Sequence, residues 1–560
     1  MNVLLIYNSN VPLALKDSFN EFGTSVSFVV LRDDLKSHSF TIDKKMSDDF
    51  ILNENEIEQK KYDIIFIPYS LSEENYTEFL GLRLAYHIRL TPEFNNIQTP
   101  IVFYGLDSTW EINRLSTLGQ ILFTANIFST DKISSNNFKK QIDYINTLPS
   151  VRQQSDDLFL KDFAAKTSLK APGNYKSHHS IDNELALLRW STYLNCDDKI
   201  KEVKNNLKTN LYFKYINALN PIEKIEKGHK LNVEGKSNIL LIDDESNKGW
   251  GAFYKSFFEF GPSVDFSSLE IEFKGLTQDE VIKEAIKEVK AFNADVVLLD
   301  LRLCDTDFQE NILPDNLSGI KILKKIKEIN RGIQVIITTA SDKVWNYRAS
   351  DKANGYIIKS RSSEVSADMK HLQTTINSCV KRSESLKTLY SEWKTAFNSN
   401  ADSKIDFNKE ANTILEMSWE LIDSGYTDFG YLSLFQLIEN FAEKLYEIGE
   451  KQDTIEKVMV IDKSDESNYK WCLKYIKDNC NNSSYFEFND KENSSDLRKP
   501  TTLYKISCLF KFKYDKDNDF LKKIGHLNSI RNKIAHNSAK KVVTTEDIKE
   551  LLKMITIIKK

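Results

Sequence analysis

Four short apolar runs constrain this chain more than any other feature, because each delivers a chemically distinct residue at its C-terminal end. Asn238-Ile-Leu-Leu-Ile-Asp-Asp-Glu245 ends in paired carboxylates, and Asp295-Val-Val-Leu-Leu-Asp-Leu-Arg302 ends in another. Gln334-Val-Ile-Ile-Thr-Thr-Ala340 ends in a hydroxyl, and Gly355-Tyr-Ile-Ile-Lys359 ends in an amine. Runs of this kind, rich in β-branched residues and separated by helical stretches, predict buried parallel strands. Ligands collect at the carboxyl ends of such strands. Asp243, Asp244, Asp300, Thr339 and Lys359 are therefore expected in one pocket. Three carboxylates meeting there repel one another unless a divalent cation sits among them, and oxygen-only ligands favour a hard ion such as Mg²⁺.

This order and spacing resembles the receiver domain of two-component response regulators over about 125 residues, roughly Lys236 to Arg361. The resemblance implies a flavodoxin-like α/β fold with Asp300 as phosphoacceptor. It further implies that Asp243 and Asp244 hold Mg²⁺ together with Asp300 and the backbone carbonyl of Arg302. Thr339 would hydrogen-bond the phosphoryl group, Lys359 would pair with it, and Tyr356 would be the aromatic that reorients. A histidine kinase or another phosphodonor is the implied partner. A carboxylate can attack a phosphoryl donor once a metal and an amine neutralise the accumulating charge. Two features depart from the pattern. The loop from Leu303 to Ser318 is long and carries Asp305, Asp307, Glu310 and Asp315, which places it to cap or crowd the pocket. Ser360 stands where a proline commonly follows the lysine, so no cis peptide is expected there.

The remaining bulk properties exclude several classes. A length of 560 residues predicts several domains, and a formal net charge of −5 argues against a generally basic nucleic-acid coat. No apolar run approaches the ~20 residues needed to span a bilayer, and the Met1-Asn-Val-Leu-Leu-Ile-Tyr7 opening predicts a strand, so a cytoplasmic location without a membrane partner is expected. The six cysteines lie without a CxxC pair, which predicts reduced thiols and not a disulfide frame.

Residues 1–148 repeat the receiver plan without its chemistry. Asn2-Val-Leu-Leu-Ile-Tyr7 resembles the first strand, Asp63-Ile-Ile-Phe-Ile-Pro68 the third, and Ile101-Val-Phe-Tyr104 and Ile121-Leu-Phe-Thr124 the fourth and fifth. Pro68 then takes the place of Asp300, and Asn8 and Ser9 take the places of the paired acids. The region resembles a degenerate, pseudo-receiver domain with no catalysis of its own; another small α/β domain is the alternative. Residues 149–235 are expected to form a helical linker region, with the His178-His179 pair in a surface loop after Pro172-Gly173. Residues 236–363 are the receiver.

Residues 364–400 carry a connecting signalling helix with a seam at Met369, Leu372, Ile376, Cys379, Ser383, Leu386, Tyr390, Trp393 and Phe397. Its 3.5-residue spacing fits either a pairing helix in a homodimer or an amphipathic helix lying on its own domain. Residues 401–560 are expected to be all helical, with elements near 407–423, 429–449, 467–480, 500–511, 519–535 and 545–560. Arg531-Asn-Lys-Ile-Ala-His536 resembles the Arg-x4-6-His motif of HEPN domains, which are helical, usually dimeric, and in many cases metal-independent endoribonucleases. By that resemblance Arg531, Asn532 and His536 are the ribonuclease residues, with Glu439 as a supporting acid and no cofactor at that site. Histidine titrates near neutrality and can move the protons of 2′-hydroxyl attack, while arginine grips phosphate through paired donors. Asn532 shares a helix face with His536 and is placed to orient its ring. Lys522, Lys523, Lys533, Lys540 and Lys541 add local positive charge.

The expected architecture is thus multidomain: two α/β domains, one of them degenerate, followed by an all-α HEPN-like bundle. The expected function is a response-regulator-like protein whose phosphorylation controls RNA cleavage in a homodimer. The resemblance makes a role in stress or phage defence an expectation. The alternatives are a signalling scaffold whose HEPN-like region only dimerises or binds nucleotide or RNA, and a transcription regulator.

Overall fold

The computed structural model describes residues 2–8, 24–27, 39–47, 61–72, 76–131, 134–148, 155–171, 178–196, 200–221, 233–259, 263–309, 312–340, 353–359, 364–399, 407–448, 460–462, 468–469, 473–478, 483–488, 502–536 and 543–560. The chain divides into two compact units. One comprises residues 1–293, 297–323 and 335–378, and the other 294–296, 324–334 and 379–560.

The first unit begins with strands β1 (Val3–Tyr7), β2 (Thr24–Ser27), β3 (Ile64–Pro68), β4 (Ile101–Tyr104) and β5 (Ile127–Thr130). They form a parallel sheet in the order β2-β1-β3-β4-β5. Helices α1 (Ser39–Lys44), α2 (Leu80–Arg89), α3 (Thr109–Leu115) and α4 (Ser135–Thr147) belong to this domain. One face of the sheet buries Leu5, Ile64, Phe66, Val102 and Tyr104 against Phe138 of α4. The expected fifth strand at residues 121–124 is not one. Gly119–Phe123 is a 3₁₀ turn, and the strand pairing with β4 is Ile127–Thr130. Both stretches are short and apolar, and only pairing with β4 distinguishes them.

Four helices follow: α5 (Asp156–Lys166), α6 (His178–Tyr193), α7 (Lys201–Thr209) and α8 (Leu211–Leu219). The His178-His179 pair opens α6 instead of lying in a loop. Pro172, Gly173 and both histidine side chains lie outside the described residues.

The second α/β domain repeats the first. Its strands are β6 (Ser237–Ile242), β7 (Val264–Ser268), β8 (Val296–Asp300), β9 (Gln334–Thr339) and β10 (Gly355–Ile358), in the order β10-β9-β8-β6-β7. Numbered within each domain, both sheets have the strand order 2-1-3-4-5, a doubly wound arrangement whose ligand crevice lies at the carboxyl ends of the strands. Helices α9 (Trp250–Phe258), α10 (Gln278–Ala291) and α11 (Ser318–Ile329) cover this sheet. Gly319 lets α11 begin directly against β8, because a Cβ there would collide with the Asp300 carbonyl.

Helix α12 (Val365–Asn398) has 34 residues. The seam residues Met369, Leu372, Ile376, Cys379, Ser383, Leu386, Tyr390 and Trp393 are all buried within this one chain. Leu386, Tyr390 and Trp393 belong to the core of the second unit, with Phe397 packed against it. Tyr390 meets Trp419 edge to face at 4.9 Å, and the Trp393 indole donates to the Leu415 carbonyl at 2.8 Å. The seam therefore behaves as an amphipathic helix lying on its own domain. It leaves little apolar surface for pairing two chains.

The second unit also holds α13 (Phe407–Asp423), α14 (Thr427–Leu445), α15 (Thr502–Cys508), α16 (Asn518–Ala535) and α17 (Thr545–Lys559). It is not all-α. Short strands β11 (Tyr446–Ile448), β12 (Val460–Asp462) and β13 (Asn468–Tyr469) form one antiparallel sheet, and β14 (Leu473–Asp478) pairs antiparallel with β15 (Ser483–Phe488). The helix expected over 467–480 is replaced by β13 and β14. The aromatic and β-branched run Leu473-Lys-Tyr-Ile, followed by Asp478-Asn-Cys-Asn-Asn-Ser483, is a strand-turn signal that outweighed helical spacing. β15 lies on α16 at Gly525, where a Cβ would strike Tyr485, and Phe486 meets Tyr504 edge to face at 4.8 Å. Asp517 caps α16 through Phe520 N, and Thr544 with Asp547 forms the expected capping box of α17.

Candidate functional site

The carboxyl ends of β6, β8, β9 and β10 bring the expected acidic residues together. Asp243 and Lys359 are completely buried, and Asp300 and Thr339 nearly so. One oxygen from each of Asp243, Asp244 and Asp300 lies within 4.8 Å of the others. Lys359 Nζ donates to Asp243 Oδ2 at 2.6 Å and to Asp300 Oδ2 at 3.2 Å. The backbone N–H of Glu245 donates to Asp243 Oδ1 at 2.8 Å, and that of Arg302 to Asp300 Oδ1 at 3.3 Å. The Thr339 carbonyl accepts from Lys359 N at 2.8 Å, so β9 and β10 deliver hydroxyl and amine side by side. Tyr356, three residues before Lys359 and on β10, is half-buried, with its carbonyl 3.1 Å from His371 Nε2. Ser360 lies outside the described residues.

The electrostatics follow from three acids sharing one buried amine. Burial, then the Asp243 and Asp300 charges, push Asp244 up to about 8. Burial also pushes Asp300 up, to about 6, although the Lys359 ammonium opposes it. Burial would lower Lys359, but Asp243 and Asp300 outweigh it and hold the amine firmly protonated. Three carboxylates and one ammonium leave surplus negative charge. This donor set fits a hard divalent cation.

The pocket has features that the sequence reading did not single out. The ring of Trp250, the first residue of α9, has Lys359 Nζ 4.5 Å from its centroid. Tyr254, one turn on, is fully buried, and its hydroxyl has no hydrogen-bond partner among the described residues. Asn183 of α6 donates to Glu245, and Trp190 meets Trp250 edge to face at 5.4 Å. A groove of about 1290 Å³ opens beside Asp243 and Asp244 and is also lined by Lys248, Leu269 and Asp305. The i, i+4 spacing of Trp250 and Tyr254 was the available sequence signal.

Among its described residues, the long loop borders the groove beside the acids through Leu303, Cys304, Asp305 and Phe308. Asp307 is buried and turned into the loop, accepting from Leu303 N at 2.9 Å, Cys304 N at 3.2 Å and Ser318 N at 3.1 Å, and from the Ser318 hydroxyl. It organises the loop as an internal anchor. Asp305 lines the groove, and the Arg302 guanidinium lies 5.7 Å over Phe308. Glu310 lies outside the described residues.

Among its described residues, the first α/β domain brings no such set of acids together. Pro68 ends β3 where Asp300 ends β8, and Asn8 donates to the Ser70 carbonyl at 3.2 Å, a neutral tie in place of an acid. Ser9 lies outside the described residues. The buried charge sits elsewhere. Asp43 of α1 accepts from Arg83 at 2.6 and 2.9 Å and from Leu211 N at 3.0 Å, and its Oδ1 is 2.9 Å from His87 Nε2. Lys214 of α8 donates to Thr91 at 2.7 Å and Ser47 at 3.0 Å, and lies 3.4 Å from His87 Nδ1. An ammonium can only donate, which assigns the His87 proton to Nε2, facing Asp43. Burial, then the Lys214 charge, lower His87 to about 4. Burial would raise Asp43, but His87 and Arg83 hold it well below the usual carboxylate range. This cluster fastens α8 to the domain.

In the second unit, Arg531 on α16 forms an ion pair with Glu439 of α14 at 3.0 Å, and its Nη1 donates to Asn532 Oδ1 at 3.1 Å. Burial raises the Glu439 carboxyl, with Arg531 opposing. His536 is the exposed C-terminal cap of α16, and its imidazole has no hydrogen-bond partner among the described residues. The structure thus joins Arg531, Asn532 and Glu439. It does not join Asn532 to the imidazole as expected, because the amide oxygen is taken by the neighbouring guanidinium. Lys523 lies 3.8 Å from Glu550, and Lys522 lies 6.0 Å over Tyr485; Lys540 and Lys541 lie outside the described residues.

Among the described residues, no helix is long and apolar enough to cross a membrane. No curated protein matches the chain. Residues 14–130 match the family described as the inactive receiver domain, which agrees with the strand order of the first domain and its missing acids.

Proposed function

We propose that the second α/β domain is a working receiver, phosphorylated at Asp300, that controls a HEPN-type ribonuclease in the C-terminal unit. The observation that carries this reading is the meeting of Asp243, Asp244, Asp300 and Lys359 at one sheet edge. An Asp300 oxygen attacks phosphorus, the donor's bond to phosphorus breaks, and the donor atom (the imidazole nitrogen of a histidine kinase, or the oxygen of a small acyl phosphate) leaves with the electron pair. Asp243, Asp244 and Asp300 would hold Mg²⁺, which would supply charge neutralisation at the phosphoryl oxygens. Lys359 pairs with the same oxygens, and Thr339 donates its hydroxyl to them.

In the output region His536 takes the proton of the attacking 2′-hydroxyl, Arg531 binds the phosphate, and the P–O5′ bond breaks with the 5′-oxygen leaving on its electron pair and gaining a proton. Arg531 first has to share or release Glu439. A homodimer gathers two copies of each residue around one RNA. The test is cleavage of RNA by wild type and His536→Ala, each with and without a small phosphodonor and Mg²⁺. The expected loss in the variant is about 10²–10⁴-fold. Full activity in the variant contradicts the assignment.

One observation favours the scaffold alternative: Arg531 is already neutralised by Glu439 within its own chain. If phosphorylated wild type cuts no RNA yet changes its oligomeric state, the scaffold reading holds.

A further inference from the structure

We infer that Trp250 and Tyr254 are positioning residues for the divalent-ion site: they retain Lys359 beside the three carboxylates and receive its ammonium when an ion enters. The inference rests on the reading of Asp243, Asp244 and Asp300 as that site and extends it to residues of α9.

Lys359 now acts as the resident counter-cation, bonded to Asp243 at 2.6 Å and Asp300 at 3.2 Å. A divalent ion bound by the same oxygens repels the ammonium and competes for its partners. The side chain has no exposed surface, so it cannot simply move into water. A buried ammonium needs acceptors in place. Two are present. The Trp250 ring lies 4.5 Å from Nζ and attracts a cation through its negative face. The Tyr254 hydroxyl, buried and without a partner among the described residues, has Lys359, Asp243 and Asp300 as its charged neighbours.

A buried hydroxyl without a hydrogen bond is costly and uncommon. Beside an ammonium engaged elsewhere, it is accounted for by a second state in which the phenolic oxygen accepts from Nζ. The rings are fixed in advance. Trp250 packs edge to face on Trp190, and Tyr254 stacks on Phe258 at 6.3 Å and lies 6.4 Å from Phe266. They can therefore receive the amine without rearranging.

The experiment is calorimetric titration of full-length protein with MgCl₂, together with metal-free thermal unfolding. Tyr254→Phe keeps the ring and removes the acceptor. Its Mg²⁺ affinity should fall about tenfold, the loss expected for one hydrogen bond to a charged group. Its metal-free midpoint should not fall, because the hydroxyl has no bond to lose in that state. Trp250→Leu should weaken binding by about two- to fivefold. In a Lys359→Met background, Tyr254→Phe should have no further effect on affinity, since the group it receives is gone. Equal Mg²⁺ affinity of wild type and Tyr254→Phe overturns the inference alone. Absence of Mg²⁺ binding by wild type overturns the reading of the three carboxylates and the inference with it.

Discussion

The two α/β domains share a strand order and differ in where they place buried charge. In the second, three acids and one amine converge at the carboxyl ends of the strands, leaving an unneutralised pocket. In the first, the corresponding positions hold Asn8 and Pro68, and the charge has moved to Asp43, Arg83, His87 and Lys214. There the carboxylate and the cations are hydrogen-bonded to one another and to neighbouring groups, and the cluster ties α8 to the domain. The same fold can thus carry different charge at its strand ends, and function has to be argued from those residues and not from the fold. The inactive-receiver match over residues 14–130 falls on the domain without the strand-end acids.

The largest effect that can break this comparison is on stability. Asp43→Ala leaves Arg83, His87 and Lys214 without their anion, and should cost about 3–5 kcal/mol. Hydrogen exchange at the amides of β1 and β3 would report it. A loss below about 1 kcal/mol would show that the cluster does not fasten the domain.

Proton linkage should run in opposite directions in the two domains. His87 has a folded value near 4, below its unfolded value, so its contribution is lost as pH falls from about 6.5 to 4. Asp244 and Asp300 have folded values raised to about 8 and 6, so the folded state binds their protons more tightly. The second domain, metal-free, should therefore lose stability as pH rises from about 4 to 8, and Mg²⁺ should flatten that slope. Domain-resolved hydrogen exchange across this range would separate the two trends. The same sign in both domains would contradict the assignment of charge.

A smaller effect sharpens the point. Asp244→Asn removes like-charge repulsion and should raise the metal-free midpoint by about 2–4 °C, equivalent to about 1 kcal/mol in a domain of this size. The same change should weaken Mg²⁺ binding. A lowered midpoint would mean that the acids are already balanced.

Much of the pocket was legible in the sequence, because each buried strand ended on the residue it delivers. The edge strands β2 and β7 were not, since Thr24-Ser-Val-Ser27 and Val264-Asp-Phe-Ser-Ser268 lack a continuous apolar run. The fifth strand of the first domain was misplaced because two short apolar runs competed for one partner. The Asp43 cluster joins residues up to 168 positions apart, and no local pattern announces it. The helical reading of 467–480 failed where aromatic alternation and a turn made β14 and its partner. In the C-terminal unit, the contacts of Arg531 with Asn532 and Glu439 could not be read from spacing alone.

On this proposal the pocket at Asp300 accepts a phosphoryl group and the first α/β domain does not. Incubating the full chain with a labelled small phosphodonor and Mg²⁺, beside Asp300→Asn, tests it most directly. Acid-stable, base-labile label is expected on wild type within residues 236–363 and none on the variant. Equal labelling of both proteins, or label within residues 14–130, would contradict it.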